Sequence, residues 1–393
     1  MSVGLDVMNM IPTAPASVER MKWTPPATES GIDVPRLHEQ KRLISVGGVR
    51  MNHTLIAVDL AKTVFQIAVA KRTSKAVEDH RLSRTKFLRF FAKRQPATVV
   101  MEACGSSHHW ARELQKLGHH VVLLPPQYVA PYVHRDKTDR ADAHALLEAV
   151  RDTRIQPVPV KSINQQTLTA LHRLRSAWLA ARTARINTVR GILRELGLII
   201  PVGATHVVPR ALELIEDADV ALPDPLRLAL AEACLEIRDF EQRIQTVDKQ
   251  LQLLAREDPI VKRLRTIPGI GLLTATALVA FVGDSARFPS GRHFASYLGL
   301  APRERSSGLK RRIGAISKRG DTYLRMLLVH GARSVLWAAK RNDQPDRLRS
   351  WALRTQRLRG HNKAAVALAN KIARIAWAVW KNDTVYRQAS AEA

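Results

Sequence analysis

Leu230, Ala233, Ile237, Phe240, Ile244, Val247, Leu251 and Leu254 recur at alternating intervals of three and four residues. This heptad seam runs over more than three repeats. It commits that stretch to a long helix whose apolar stripe must be covered by another helix. Upstream, "LTALHRLRSAWLAARTARINTVRGILRELG" sets Leu168, Leu171, Leu174 and Trp178 on one face, with arginine over much of the rest. A loop carrying Pro201, Pro209, Pro223 and Pro225 joins the two helices. The cover is either the upstream helix of the same chain or a second subunit. The expectation is a stalk of both helices that also reaches another subunit, in a homo-oligomer (dimer or tetramer).

Ahead of the stalk the periodicity changes. "HTLIAVDLA" and "FQIAVAK" are β-type runs separated by a short turn at Lys62 and Thr63. A helical "TKFLRFFAKR" leads to a buried strand, "ATVVMEAC", bounded by Pro96 and Gly105. "HHWARELQKLG" is a helix ending at Gly118, and "HHVVLLPP" a further strand. An initial hairpin followed by β-α-β implies an α/β sheet with helices across it. Residues 1–50 are rich in Pro, Ser and Thr without a sustained period, which predicts disorder. Met51, directly before the first strand, is an alternative translation start. At 393 residues the chain has room for several cores. The expected division is 51–155 (α/β), 160–258 (stalk) and 259–385 (mainly helical).

Lys and Arg outnumber Asp and Glu by 62 to 35, a net charge of +27, which points to a polyanionic partner. The two cysteines, Cys104 and Cys234, are far apart in the chain and make neither a disulfide framework nor a zinc module. That usage fits a reducing cytoplasm. "TATALVAFVG" is too short to span a membrane, and "MSVGLDVMNMIP" lacks the pattern of a signal peptide.

Against this basic background, four acids stand in telling places. Asp59 interrupts the first apolar strand and Glu102 ends a later one. In "HRDKTDRADAHALLEAV", Thr138 or Asp139 would cap a helix, and with Asp139 at the cap Asp142 falls at the third helical position. Capping alone is a sufficient structural reason for these two aspartates. Their spacing also puts both carboxylates on one helix face. If the two strands are neighbours and the helix crosses their ends, four carboxylates converge. Such an oxygen-only set suits Mg²⁺ or Mn²⁺, and two such ions can clamp a phosphodiester.

The order Asp59, Glu102, Asp139 and Asp142 on this pattern resembles the ribonuclease H-like fold of the RuvC type. More narrowly, it resembles the DEDD transposases of bacterial insertion sequences, the recombinases guided by a bridge RNA. "YLGLAPRERSSGLKRRIGAISKRG" looks like the C-terminal transposase domain of the same family, in which a serine before a glycine in a basic loop is the nucleophile. By that match the nucleophile is Ser307; the local residues alone do not separate it from Ser306. Arg303, Arg305, Lys310, Arg311 and Arg312 are candidates to hold the phosphate, and Lys318, Arg319 and Arg325 to contact nucleic-acid backbone. "IPGIG" at 267–271 is either a helix-hairpin-helix turn contacting phosphate or a tight packing turn. Trp337, Trp351, Trp377 and Trp380 are read as packing residues, and the pairs His108–His109 and His119–His120 as surface histidines.

The resemblance implies an α/β ribonuclease H-like (RuvC-like) domain, then a coiled-coil stalk and a mainly α C-terminal transposase domain. It implies a transposase working on DNA (element ends and target) with a guide RNA and Mg²⁺, in the cytoplasm at the nucleoid. Its active sites would combine the carboxylate domain of one subunit with the serine domain of another. Two other readings carry distinct consequences: a RuvC-like junction nuclease using only the four carboxylates and water, and a non-catalytic nucleic-acid scaffold.

Overall fold

Strands β1 (Leu55–Leu60) and β2 (Val64–Ala70) pair antiparallel across the turn at Lys62 and Thr63, as their alternation requires. The computed structural model describes residues 54–70, 77–133, 138–308, 310–341 and 346–388. The leader at 1–50, the start at Met51 and the 134–137 segment lie outside the described residues. A third strand, β3 (Val77–Ser83), pairs antiparallel with β2 from Val64↔Ser83 to Ala70↔Val77. The expected hairpin is therefore a three-stranded meander. β3 reads "VEDHRLS" and lies at the sheet edge, half-exposed, where charge is tolerated and no apolar alternation is needed.

Helix α1 (Arg84–Ala92), β4 (Thr98–Glu102), α2 (Ser107–Lys116), β5 (His120–Leu124), the short α3 (Pro126–Val129) and α4 (Asp139–Ala149) complete the N-terminal layer structure. The sheet order is β3-β2-β1-β4-β5, with β1, β4 and β5 parallel. Ile56, Val58, Phe65, Ile67, Val99 and Met101 point to the face covered by α1 and α2. There Phe65, Phe87, Phe91 and Trp110 meet edge to face. Ala57, Ala68, Val100 and Val122 point to the opposite face, which α4 covers. Alanines under α4 let the helix lie close to β1 and β2.

The stalk comprises α5 (Ile163–Glu195), α6 (Val207–Glu216) and α7 (Asp224–Glu257). Ion pairs Arg175–Asp248, Arg182–Glu241 and Arg185–Glu236 descend one helix as they climb the other, so α5 and α7 are antiparallel partners. Within the chain, then, the seam is covered by the upstream helix. Leu230, Ile237, Ile244, Val247 and Leu251 are buried as expected. Cys234 and Ala255 are buried too, while Ala233, Phe240 and Leu254 are only partly covered, because a 3.6-residue helix drifts against a strict heptad. Leu174, expected on the apolar face of α5, is 47% exposed.

The remaining elements are α8 (Pro259–Leu264), α9 (Leu272–Val282), α10 (Gly291–Tyr297), the hairpin β6 (Pro302–Glu304) with β7 (Ile313–Ile316), α11 (Thr322–Ala339), α12 (Arg347–Arg359) and α13 (His361–Lys381). α9 is buried almost all round. The stalk is fastened to this region by buried His172, 3.0 Å from both Thr276 Oγ1 and the Tyr323 hydroxyl. The "IPGIG" turn packs on α11: Gly269 has φ +85°, and a Cβ on Gly331 would stand 1.9 Å from the Gly269 carbonyl oxygen. Close packing of two backbones is what this glycine serves. Among the described residues no helix is long and apolar enough to cross a membrane.

Candidate active site

Side chains alternate between the two faces of a strand. Asp59 therefore points the same way as Ala57, and Glu102 the same way as Val100, toward the face covered by α4. The parallel register of β1 and β4 runs to Val58↔Met101, and the next residue on each strand is one of these acids. α4 begins at Asp139, so its first turn brings Asp139 and Asp142 to the same end of the sheet. Thr138 is the cap: its hydroxyl accepts from the Ala141 amide at 3.2 Å. Asp139 therefore stands at the first helical position and Asp142 at the fourth. Neither is consumed by capping, and neither side chain has a hydrogen bond or ion pair among the described residues.

The electrostatics of Asp59 register its three acidic neighbours. Burial pushes the Asp59 carboxyl up to about 6, and the nearby charges of Asp142, Asp139 and Glu102 push in the same direction. The Leu60 amide opposes them with a hydrogen bond. Among the described residues, however, no group of three or more His, Cys, Asp or Glu side chains is arranged to hold a metal ion.

One contributor went unrecognised in the sequence. Asp79 of β3 receives Arg140 Nε at 2.8 Å on one carboxylate oxygen and His144 Nε2 at 2.8 Å on the other. Both partners belong to the first two turns of α4, so the edge strand clamps the helix that presents Asp139 and Asp142. The only sequence signal is the acidic pair Glu78–Asp79 in a charged segment.

The serine lies in the exposed β6–β7 hairpin. Beyond the strands, the Arg305 amide donates to the Arg312 carbonyl at 2.9 Å, and Ser307 and Lys310 exchange backbone bonds of 3.3 and 3.2 Å. Gly308 turns the tip with φ +55°. The two serines differ in their bonds. Ser306 Oγ donates to Glu304 Oε1 at 2.8 Å and accepts from the Arg312 amide at 3.2 Å. Ser307 is exposed, and its hydroxyl has no partner among the described residues.

The basic residues also divide. Arg305, Lys310, Arg312, Lys318 and Arg319 are exposed, without a side-chain hydrogen bond or ion pair among the described residues. Arg303 donates to the Ser317 carbonyl and Arg311 to Glu304. Arg325, expected on nucleic-acid backbone, is instead built into the loop. Its guanidinium donates to the Gly320 carbonyl at 2.9 Å, the Leu298 carbonyl at 3.4 Å and Thr322 Oγ1 at 3.2 Å.

Among the other expectations, His119 is buried: it accepts from the Ala97 amide and contacts the Phe91 carbonyl, both at 3.2 Å. His108 is half-buried and accepts from the Lys161 amide, with its imidazole pushed down to about 4 by burial and by Lys161 and Arg112. Trp380 is buried and Trp351 and Trp377 partly so, but Trp337 is 58% exposed, with the Arg341 guanidinium 3.7 Å from its ring centre.

Residues 261–347 match the family model described as "Transposase IS116/IS110/IS902 family", and residues 56–197 match the DEDD_Tnp_IS110 model, described as a transposase. The chain is 44% identical over 339 residues to a probable family 20 transposase of Pseudomonas aeruginosa, spanning 86% of this chain and 99% of that protein. The chain belongs to the IS110/IS116 transposase family. It is 37% identical to the transposase for insertion sequence element IS1328 of Yersinia enterocolitica, over 85% of this chain and 99% of the relative. It is 36% identical to the transposase for IS1111A of Coxiella burnetii, over 85% and 91%. The N-terminal α/β layer is of the ribonuclease H-like kind, and the protein is an insertion-sequence transposase, an enzyme acting on DNA.

Proposed function

We propose that this transposase excises and integrates its element through a covalent link between Ser307 and DNA, assisted by the four carboxylates. The observation that carries the carboxylate half is the arrival of Asp59, Glu102, Asp139 and Asp142 at one end of one sheet face, with Asp59 held well above its ordinary range. Support for Ser307 over Ser306 comes from the hairpin, where only the Ser306 hydroxyl is engaged.

In the proposed step, a bond forms between Ser307 Oγ and a DNA phosphorus as the bond from phosphorus to a deoxyribose oxygen breaks. The serine gives up its proton and the displaced oxygen takes one up. Attack by the hydroxyl of the joining strand reverses the exchange and restores the serine. Arg305, Lys310 and Arg312 lie free in the same hairpin to hold the phosphate and the charge that develops on it. Asp59, Glu102, Asp139 and Asp142 would hold Mg²⁺, or Mn²⁺: an all-oxygen donor set of anions under mutual repulsion suits a hard divalent cation in its chemistry, and holding one would draw the carboxylates closer together than they stand here. When bound, such an ion polarises the phosphate and balances charge on the displaced oxygen.

Among the described elements, no extensive packing joins β6 and β7 to β1, β4 or α4. This favours a site completed by the carboxylate-bearing region of one subunit and the hairpin of another, with the stalk setting the span between them. An RNA encoded by the element, pairing with donor and target DNA, would supply sequence choice. The net charge of +27 suits an assembly holding that RNA and two duplexes. The protein would work in the cytoplasm, at the nucleoid.

The test is a cleavage assay on the element's end joined to its target, with the cognate RNA and Mg²⁺. It scores a protein–DNA adduct that resists denaturant. The adduct should form with wild type and with Ser306→Ala, and be lost in Ser307→Ala and Asp139→Asn. Cleavage without an adduct, indifferent to Ser307→Ala, would leave a metal-dependent junction nuclease and remove the serine step.

A further inference from the structure

A groove of about 1570 Å³ opens between α10, the base of the serine hairpin, α12 and α13. Arg292, Lys363, Lys371 and Arg374 line it, and no Asp or Glu is among its described lining residues. Lys371 sits deepest in the conflict. Its ammonium lies 4.2 Å from the centre of the Trp351 ring. Its pKa is lowered first by burial and then by the guanidinium groups of Arg347, Arg374 and Arg354. Cations grouped in a lining that holds no carboxylate favour a polyanion there.

Part of the lining is apolar, including Val366, Ala367 and Ile375 of α13. Trp377 is fixed beside it, its indole N–H shared between the Ser285 and Phe288 carbonyls, each at 3.2 Å. Asn370 ties α13 to the Leu300 carbonyl at 3.2 Å. The walls are thus preformed. A duplex turns phosphates outward and keeps its base faces stacked, so an apolar floor gains nothing from it. An unpaired strand offers phosphates to the cations and bare base faces to the apolar floor and the indoles.

We infer that this groove binds an unpaired stretch of nucleic acid, entering beside the hairpin that carries Ser307. Pro302 of β6 and Ile316 of β7 form part of its wall, so the strand held there runs toward the loop that bears the serine. The inference rests on the proposed action on nucleic acid and adds a site, a strand state and a set of contacts to it. DNA and RNA share the chemistry recognised, and the test separates them.

Fluorescence anisotropy of the full chain would be measured with a labelled 10-nucleotide DNA of mixed sequence, the same sequence as RNA, and the DNA as a duplex. Wild type would be compared with Lys371→Met, which keeps the side-chain length, and with Ala367→Phe, which fills the floor without touching a charge. For Lys371→Met the expected result is roughly fivefold weaker binding of one single strand, with the salt slope reduced by about 0.7. Ala367→Phe should weaken the same strand about tenfold, with duplex affinity unchanged in both variants. Whichever strand, DNA or RNA, loses affinity is the occupant. The inference is overturned if wild type binds neither strand, if neither variant changes single-strand affinity, or if the duplex weakens equally. The adduct assay, run in parallel, shows whether the proposed function stands without the groove.

Discussion

Asp59→Asn should make the protein more stable while disabling it, provided divalent cations are removed. The folded protein holds the Asp59 carboxyl at about 6 against an ordinary 3.8. At about 1.4 kcal/mol per unit, that gap would cost roughly 3 kcal/mol at neutral pH if nothing screened it. The side chain is half-buried and water screens part of the repulsion, so about 1–1.5 kcal/mol is the realistic figure. The sign follows from the direction of the shift. Below the unfolded value the carboxyl is protonated in both states and costs nothing. As pH rises between 4 and 6 the unfolded chain releases the proton before the folded one, and stability is lost. Asparagine never ionises, and its side-chain oxygen can still accept from the Leu60 amide. In chelator at pH 8 the variant should melt about 2–5 °C above wild type, with the gap shrinking toward pH 4.5. Adding Mg²⁺ should raise wild type more than the variant and narrow the gap. A variant that melts below wild type in chelator, or a gap that ignores pH, would refute the convergence of charges on Asp59.

Two further substitutions probe the supports of the site. Asp79→Ala frees Arg140 and His144 and should raise the Mg²⁺ concentration needed for half-maximal cleavage about tenfold, with Asp79→Glu recovering part of the loss; an unchanged Mg²⁺ requirement would remove the clamp from the site. Gly331→Ala drives a methyl group into the Gly269 carbonyl, so it should destabilise the chain by about 3 kcal/mol in denaturant melts, and a loss under 1 kcal/mol would mean that the two backbones separate easily.

How far the sequence could be read depended on where each residue spends its free energy. β1, β4 and β5 are buried strands, so their apolar runs show at once, and the acids interrupting them show equally well. The seam of α7 is legible for the same reason. β3 was not: its backbone is paired on one side only, and only Val77 and Leu82 at its two ends are apolar, so no alternation marks it. With β3 hidden, Asp79 could not be placed opposite α4. His119 was misplaced by its neighbour. The pair "HH" opens a strand whose first residue faces water, while the preceding imidazole turns inward to bond the Ala97 amide. Trp337 falls on the exposed side of α11, where the Arg341 guanidinium covers its ring.

The two adjacent serines mark the limit of reading from sequence alone. Both precede or touch Gly308 and share the same cations, so composition treats them alike. The hairpin separates them because its register brings Glu304 and the Arg312 amide to one hydroxyl. A hydroxyl that bridges a carboxylate and an amide is part of the turn's own closure. To use it as a nucleophile would give up both of those bonds at the moment the phosphate must be held. The Ser307 hydroxyl leaves the tip without such a commitment, beside a glycine whose missing side chain opens the approach. On the proposed reading Ser306 would serve as the brace and Ser307 as the residue that reacts. That division of labour follows from two hydrogen bonds that no local sequence pattern specifies.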